Sequence, residues 1–407
     1  MANVPVDELT CGLELAKDVL GKNGRLLLAG GTVLTAGHLR VLRIWGVTEV
    51  EIAAGGGDRA TLPAAVSPEE SAAAVRAVDA RFALANREQP AVAELYRLCV
   101  KELALPGRCP LPPKAARTGE AVSGGLPAAP AGPEALLAGD PALASFPDIY
   151  FRLQEAIRDP GASAGHIAGI IGRDPGLAAS LLRLANSPFY ALGRPIESLV
   201  RGVMVIGAGE LAQLALGLTV ADRFRDLPSG CLTMRQAWEH AVGCGVMARV
   251  LAAQMGGQQE ERLFVAGLLH DLGRLVLLRR LPRHAARAMA LAREEGMALW
   301  QAEREVMGFD HAAVGRTLLA HWQLPQALAE AVGDHHNVAG MGLDAAIVHV
   351  ADAAAVAVGF GSNGSPLVPP VADAAWTALG LPPSALAVVV SQARRQVADI
   401  VSTLLPN

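Results

Sequence analysis

At 407 residues the chain is too long for one ordinary helical domain, so two or three units are expected. Hydrophobic residues make up 52% of it but aromatics only 4%, so its core must be built mainly from Ala, Leu and Val, the composition of close-packed helices in a mainly α protein. The 35 basic and 39 acidic residues nearly cancel, and no long Lys/Arg run is present to neutralise a phosphate backbone, so direct nucleic-acid binding is not indicated.

The five cysteines (Cys11, Cys99, Cys109, Cys231, Cys244) are odd in number and form no CxxC pair, which argues against a disulfide framework or a zinc ribbon and fits a reducing cytoplasm. The opening MANVPVDELT contains acids and lacks the basic start and apolar core of a secretion signal. The most apolar late stretch, Ala345 to Phe360, is interrupted by His349 and Asp352, short of the roughly 20 apolar residues that span a bilayer. A soluble, cytoplasmic protein without a membrane partner is the expectation.

Residues 1–55 read as a small β-α-β unit. Gly24-Arg25-Leu26-Leu27-Leu28 forms a strand ending at the turn Gly30-Gly31, Thr35 caps a helix through Trp45, and Val47 to Ile52 forms a second strand. The pattern resembles the short accessory segment that precedes catalytic domains in some HD-family phosphodiesterases. Ser67-Pro68-Glu69-Glu70 supplies an N-cap, a proline at the first helical position and acids in the first turn, and predicts a helical connector over 56–105. Residues 106–140 turn to Pro, Gly and Ala and form a linker, either a spacer between sensor and output or a passive tether.

From 141 to 405 short helices follow one another. Phe146-Pro147 opens an apolar-periodic stretch to Ile157, Asp159-Pro160-Gly161 breaks it, and Ser163 caps the next. Asp174-Pro175 starts another, with Leu177, Leu181, Leu182 and Leu184 on one face. Asn186-Ser187-Pro188 stops that helix, and Phe189-Tyr190 follows as an aromatic pair for a neighbouring helix or a partner to pack against.

Taken in order, Asp174-Pro175-Gly176-Leu177, Leu181 through Tyr190, Arg194-Pro195-Ile196-Glu197-Ser198-Leu199 and Ile206-Gly207 resemble the signature of the HDOD domain, a helical signalling relative of the HD and HD-GYP metal phosphohydrolases. EERLFVAGLLHDLGR (260–274), DHAAVGRTLLAHWQLP (310–325), Asp334-His335-His336 and the closing LGLPPSALAVVVSQARRQVADIV match the same pattern. The resemblance implies a multi-helix HDOD or HD-type domain over 141–405 with a role in bacterial signal transduction. Its partner surface would include Asn186, Phe189 and Tyr190.

Seven residues at five places along the helices offer metal ligands: His240, the pair His270-Asp271, His311, the pair His335-His336, and Asp352. Imidazoles with carboxylates suit Fe, Mn, Zn, Ni or Co, and the carboxylate of an HD pair can bridge two ions. A histidine taken singly is more often a satisfied core residue than a ligand, and His166, His284, His321 and His349 are read as structural or exposed. The resemblance places His240, His270, Asp271 and Asp352 around a first divalent metal and His311 and His335 around a second, with His336 a ligand or a neighbour of one.

HD-GYP relatives carry HDIGK and a downstream GYP. This chain has HDLGR, with Arg274 where the lysine would be, and no GYP. Arg274 is expected at the solvent side of its helix, with pairing to an anionic ligand as the alternative. A non-catalytic output module receiving a signal and passing it to a signalling protein is therefore expected. The alternative is a metal-dependent phosphohydrolase acting on a nucleotide or cyclic dinucleotide, with Asp271 and Arg274 as tentative catalytic groups.

Overall fold

The structure, a computed structural model, describes residues 2–6, 9, 13–20, 26–35, 38–39, 42, 47, 49–53, 68–103, 126–138, 140, 143, 146–187, 190, 195–224, 232–256, 259–337 and 339–404. The chain divides into two compact units, Met1–Pro68 and Glu69–Asn407.

In the first unit four short strands pair as two antiparallel ribbons. β1 (Ala2–Pro5) lies against β4 (Glu49–Ile52), and β2 (Val19–Leu20) against β3 (Leu26–Leu28). The two strands expected from the sequence are thus present but do not pair with each other, because each folds back onto an earlier strand too short to carry an alternating pattern. The Thr35 hydroxyl accepts from the His38 N–H at 3.3 Å, as a cap does, while most of the expected helix through Trp45 lies outside the described residues. Val6, Leu15, Leu34, Leu42, Val50 and Ile52 are among the residues of this unit's own small core.

The second unit is helical throughout its described length. α1 (Pro68–Arg81) and α2 (Pro90–Leu103) are separate where one run was expected, since Pro90 cannot donate a backbone bond and suits a helix start. Val78, Phe82 and Leu95 belong to the same hydrophobic core as the helices that follow, so the described part of the expected connector is built into the helical body. The end of the expected linker is also packed: α3 (Pro133–Leu137) buries Leu136 and Leu137, and the His284 ring bonds the Pro127 carbonyl at 2.9 Å. Residues 106–125 lie outside the described ones.

Next come α4 (Asp148–Arg158), α5 (Ala164–Ile171), α6 (Pro175–Ala185), α7 (Leu199–Ile206) and α8 (Ala208–Arg223). Ser163, Asp174 and Ser198 cap α5, α6 and α7 by accepting from the backbone N–H three residues on. α6 buries Leu177, Leu181 and Leu184. Asn186 closes α6 by donating to the carbonyls of Leu182 (3.0 Å) and Ile196 (2.8 Å) and accepting from the Ile196 N–H (2.6 Å). The Tyr190 ring lies 5.2 Å from the Arg249 guanidinium. Both side chains therefore make contacts within the fold, whereas Phe189 lies outside the described residues.

The remaining helices are α9 (Met234–Gln254), α10 (Glu260–Leu269), α11 (Leu272–Arg280), α12 (Pro282–Glu294), α13 (Leu299–Met307), α14 (His311–His321), α15 (Gln326–Asp334), α16 (Leu343–Val358), α17 (Asp373–Leu379) and α18 (Ala385–Leu404). α9 is the centre of the body, opened by a Thr233–Gln236 capping box and packed against α10, α16 and α18. Its Val246, Met247 and Leu251 have no exposed surface, each burial stabilising by about 1.5–3 kcal/mol. Two glycine contacts bring helices unusually close. A Cβ on Gly267 of α10 would stand 2.7 Å from the Gly245 Cα of α9, and one on Gly273 of α11 would overlap the His311 carbonyl of α14. Among the described residues, no single helix is long and apolar enough to cross a membrane.

Candidate metal centre

The close helix crossings gather the polar residues that interrupt these apolar helices. His240 projects from the middle of α9 and Asp352 from the middle of α16. The others stand at helix ends: His270 and Asp271 at the break between α10 and α11, His311 as the first residue of α14, and His335 and His336 just past α15. His270, His311 and His335 are fully buried, His240 and Asp352 nearly so, and the Asp271 side chain keeps 13% exposure. All seven expected ligand residues thus meet in one cluster.

The first half of the cluster has ligand spacing. His240 Nε2 lies 3.1 Å from Asp352 Oδ1 and 3.3 Å from His270 Nε2, and His270 Nε2 lies 3.6 Å from Asp352 Oδ1. Asp271 Oδ2 is 3.7 Å from His240 Nε2 and 3.6 Å from His270 Nε2. Ligands held about 2.0–2.2 Å from a tetrahedral metal stand about 3.3–3.6 Å apart, so His240, His270 and Asp352 fit one divalent ion, with Asp271 close to both of its histidines. Two further observations agree. Asp352 Oδ1 is buried without a hydrogen-bond partner, and His270 Nδ1, 2.7 Å from the Gly267 carbonyl, donates to it and leaves the Nε2 lone pair facing inward.

The second half holds His311, His335 and His336. His311 Nε2 lies 3.1 Å from Asp271 Oδ1 and 3.4 Å from His335 Nε2, so the two oxygens of Asp271 face the two halves. His335 Nδ1 donates to the Val332 carbonyl at 2.6 Å, which again turns Nε2 inward. His336 stacks on Trp300 with centroids 5.6 Å apart, and its Nδ1 is buried without a partner. His349 is structural: it donates to the His335 carbonyl at 2.7 Å and accepts from the Ala372 N–H at 3.0 Å.

Arg274 corrects the sequence expectation. It is only 3% exposed and lies inside the cluster instead of at the solvent side of α11. One terminal nitrogen bonds Asp271 Oδ2, and Nε donates to Glu303 Oε1 at 3.1 Å. The other terminal nitrogen lies 2.8 Å from Nδ1 and 3.2 Å from Nε2 of His311. Two carboxylates make this burial tolerable. Glu303 is the site residue that sequence reasoning missed; it also accepts from the His311 backbone N–H at 3.0 Å and faces His311 Nδ1 at 2.5 Å. A signal existed, since Glu303 falls one turn from both Leu299 and Met307 on the buried stripe of α13.

The electrostatics follow from these contacts. Burial alone would raise Asp271, but Arg274 and the surrounding imidazoles hold its carboxyl well below the usual range. Burial works the same way at Asp352, where the His240 and His270 imidazoles that face it win and lower it. Burial, reinforced by neighbouring imidazoles, pushes His335 and His336 well below the ordinary histidine value, which keeps them neutral. A narrow pocket lined by Leu232, Trp238, Asp271, Arg274 and Asn363 leads to the cluster and has room for about one water molecule.

The HDOD domain family matches residues 143–338. A curated but uncharacterised protein of Treponema pallidum is 25% identical over 194 residues, 47% of this chain, which spans only 37% of that relative's length. The crystal structure of an HDOD domain protein of unknown function from Geobacter sulfurreducens superposes with a TM-score of 0.55 at 24% identity, over 64% of this chain and 93% of that one, and shares its fold. A provisionally named phosphohydrolase from Shewanella amazonensis aligns over 64% of this chain and 99% of its own, at 18% identity and a TM-score of 0.49.

Proposed function

From the premise that residues 143–338 are an HDOD domain, we propose that this chain is a signal-transduction output module whose HD-type centre holds a divalent metal without hydrolysing a substrate. The observation that carries this is the closure of the centre. The HD aspartate is bonded by a buried guanidinium, the histidines around it are at most 7% exposed, and the pocket that reaches it admits about one water. A bound ion would in general polarise a phosphate and lower the pKa of a coordinated water. Here its supported role is to tie α9, α10, α11 and α16 together, so that a signalling protein partner meets a body of fixed shape.

The test is to purify the full chain without added metal or a chelating tag, measure its metals, and assay cyclic dinucleotides, nucleotides and a generic phosphodiester. Bound metal without turnover is expected, with the metal lost in Asp352→Ala. Turnover that disappears in Asp271→Ala would establish the second reading, a phosphohydrolase acting on a nucleotide or cyclic dinucleotide. That reading is favoured by the pocket's reaching both Asp271 and Arg274, an acid and a phosphate-binding cation on one wall.

A further inference from the structure

The two halves of the cluster share Asp271, yet they are not equivalent, because only the second contains a built-in cation. We infer that Arg274 stands in for a second metal ion and makes the centre mononuclear, with His240, His270, Asp271 and Asp352 around one divalent ion and the guanidinium serving His311. This rests on the metal-holding reading above and adds the number of ions and the residue that sets it.

Arg274 reaches two of the residues that a second ion would draw on, Asp271 and His311. Its terminal nitrogens touch Asp271 Oδ2 and stand 3.2 Å from His311 Nε2, the atom that faces Asp271 Oδ1 at 3.1 Å. An ion about 2.0–2.2 Å from His311 Nε2 would lie directly beside a guanidinium nitrogen in a buried site. Two cations in contact without intervening water repel strongly there. Charge points the same way. With the ligand imidazoles neutral, as coordination requires, Asp271, Glu303 and Asp352 set three negative charges against the one positive charge of Arg274, and the difference is what one divalent ion neutralises. A second ion would leave the interior with uncompensated positive charge. Arg274 is also held from both sides: Glu303 takes Nε and Asp271 a terminal nitrogen, so the guanidinium cannot swing aside without stranding two carboxylates. Glu303, by facing His311 Nδ1 as well, is a positioning residue for the same arrangement.

The test compares the full-length wild type with Arg274→Met, which keeps an unbranched apolar stem but removes the charge, by equilibrium dialysis against Mn(II) with elemental analysis and electron paramagnetic resonance. The wild type should bind one ion and give the spectrum of isolated Mn(II). Folded Arg274→Met should bind a second ion about 100-fold or more tightly than the wild type does, with the signature of a coupled pair bridged by Asp271. One ion in both proteins, or two in the wild type, overturns the inference while leaving the metal-holding reading intact. No ion in either overturns both. Should Arg274→Met fail to fold by circular dichroism, Arg274→Gln, which keeps a donor for Asp271 or Glu303 without the charge, provides the same comparison and is judged by the same outcomes.

Discussion

Glu303 and Arg274 form a buried pair whose members depend on each other, so removing one strands the other. Glu303→Ala should cost about 3–5 kcal/mol, read from the shift in a urea unfolding midpoint, whereas Arg279→Ala, whose side chain is 36% exposed and only 3.9 Å from Asp140, should change the midpoint little. Histidine titration supplies a second expectation. His335, His336 and His349 are all lowered by burial, so their folded pKa values lie below the unfolded value near 6.5. The unfolded chain then binds more protons as pH drops, and stability is lost below about pH 6.5, by up to about 1.4 kcal/mol per pH unit for each group. Urea midpoints of chelator-treated protein, taken from about pH 7.5 down to about pH 5, should show that slope below about pH 6.5. His336→Gln should flatten it by about one proton, and an unchanged slope would show that His336 is not buried neutral.

The glycine contacts between helices set where the ligands meet. A methyl group at Gly273 has no space beside the His311 carbonyl and the Gly315 backbone, so Gly273→Ala must push α11 from α14. Overpacking of this kind costs about 1–3 kcal/mol. The larger consequence should be displacement of Asp271 from His240 and His270, seen as reduced metal content in a protein that still melts cooperatively. Gly256→Ala, at the end of α9 with open space around it, should leave metal content unchanged even though its positive φ of 71° makes it mildly destabilising. The ligand residues were legible in the sequence because imidazoles and carboxylates interrupting apolar helices stand out. Arg274 was misplaced because amphipathic reasoning assigns a charged residue to a solvent face, and α11 has none there: Leu272 through Leu278 are all buried. Helices α5 and α6 were legible from their caps and α4 from its apolar period, whereas β1 and β2 were not, since two to four residues carry too little periodicity.

At the scale of the molecule, the two units keep separate cores that share no residue. Deleting residues 1–68 should therefore leave the metal content of the remainder and its melting temperature within a few degrees, about the shift that 1 kcal/mol produces; a collapse of both would show the units to be energetically joined. Chelation should act the other way, lowering the melting temperature of the full chain, because an ion bound only by the folded state stabilises it in proportion to the logarithm of its concentration over Kd.

The order in which the cluster's parts leave the ribosome follows from their positions along the chain. His240 is made early and Asp352, its nearest carboxylate at 3.1 Å, roughly a hundred residues later. Until α16 is synthesised, α9 has α10 beside it but neither α16 nor α18, and it lacks the nearer of the acids that face its histidine. A nascent or truncated chain that stops short of α16 thus presents a half-built polar cavity against bare apolar helix, a surface suited to chaperones and proteases.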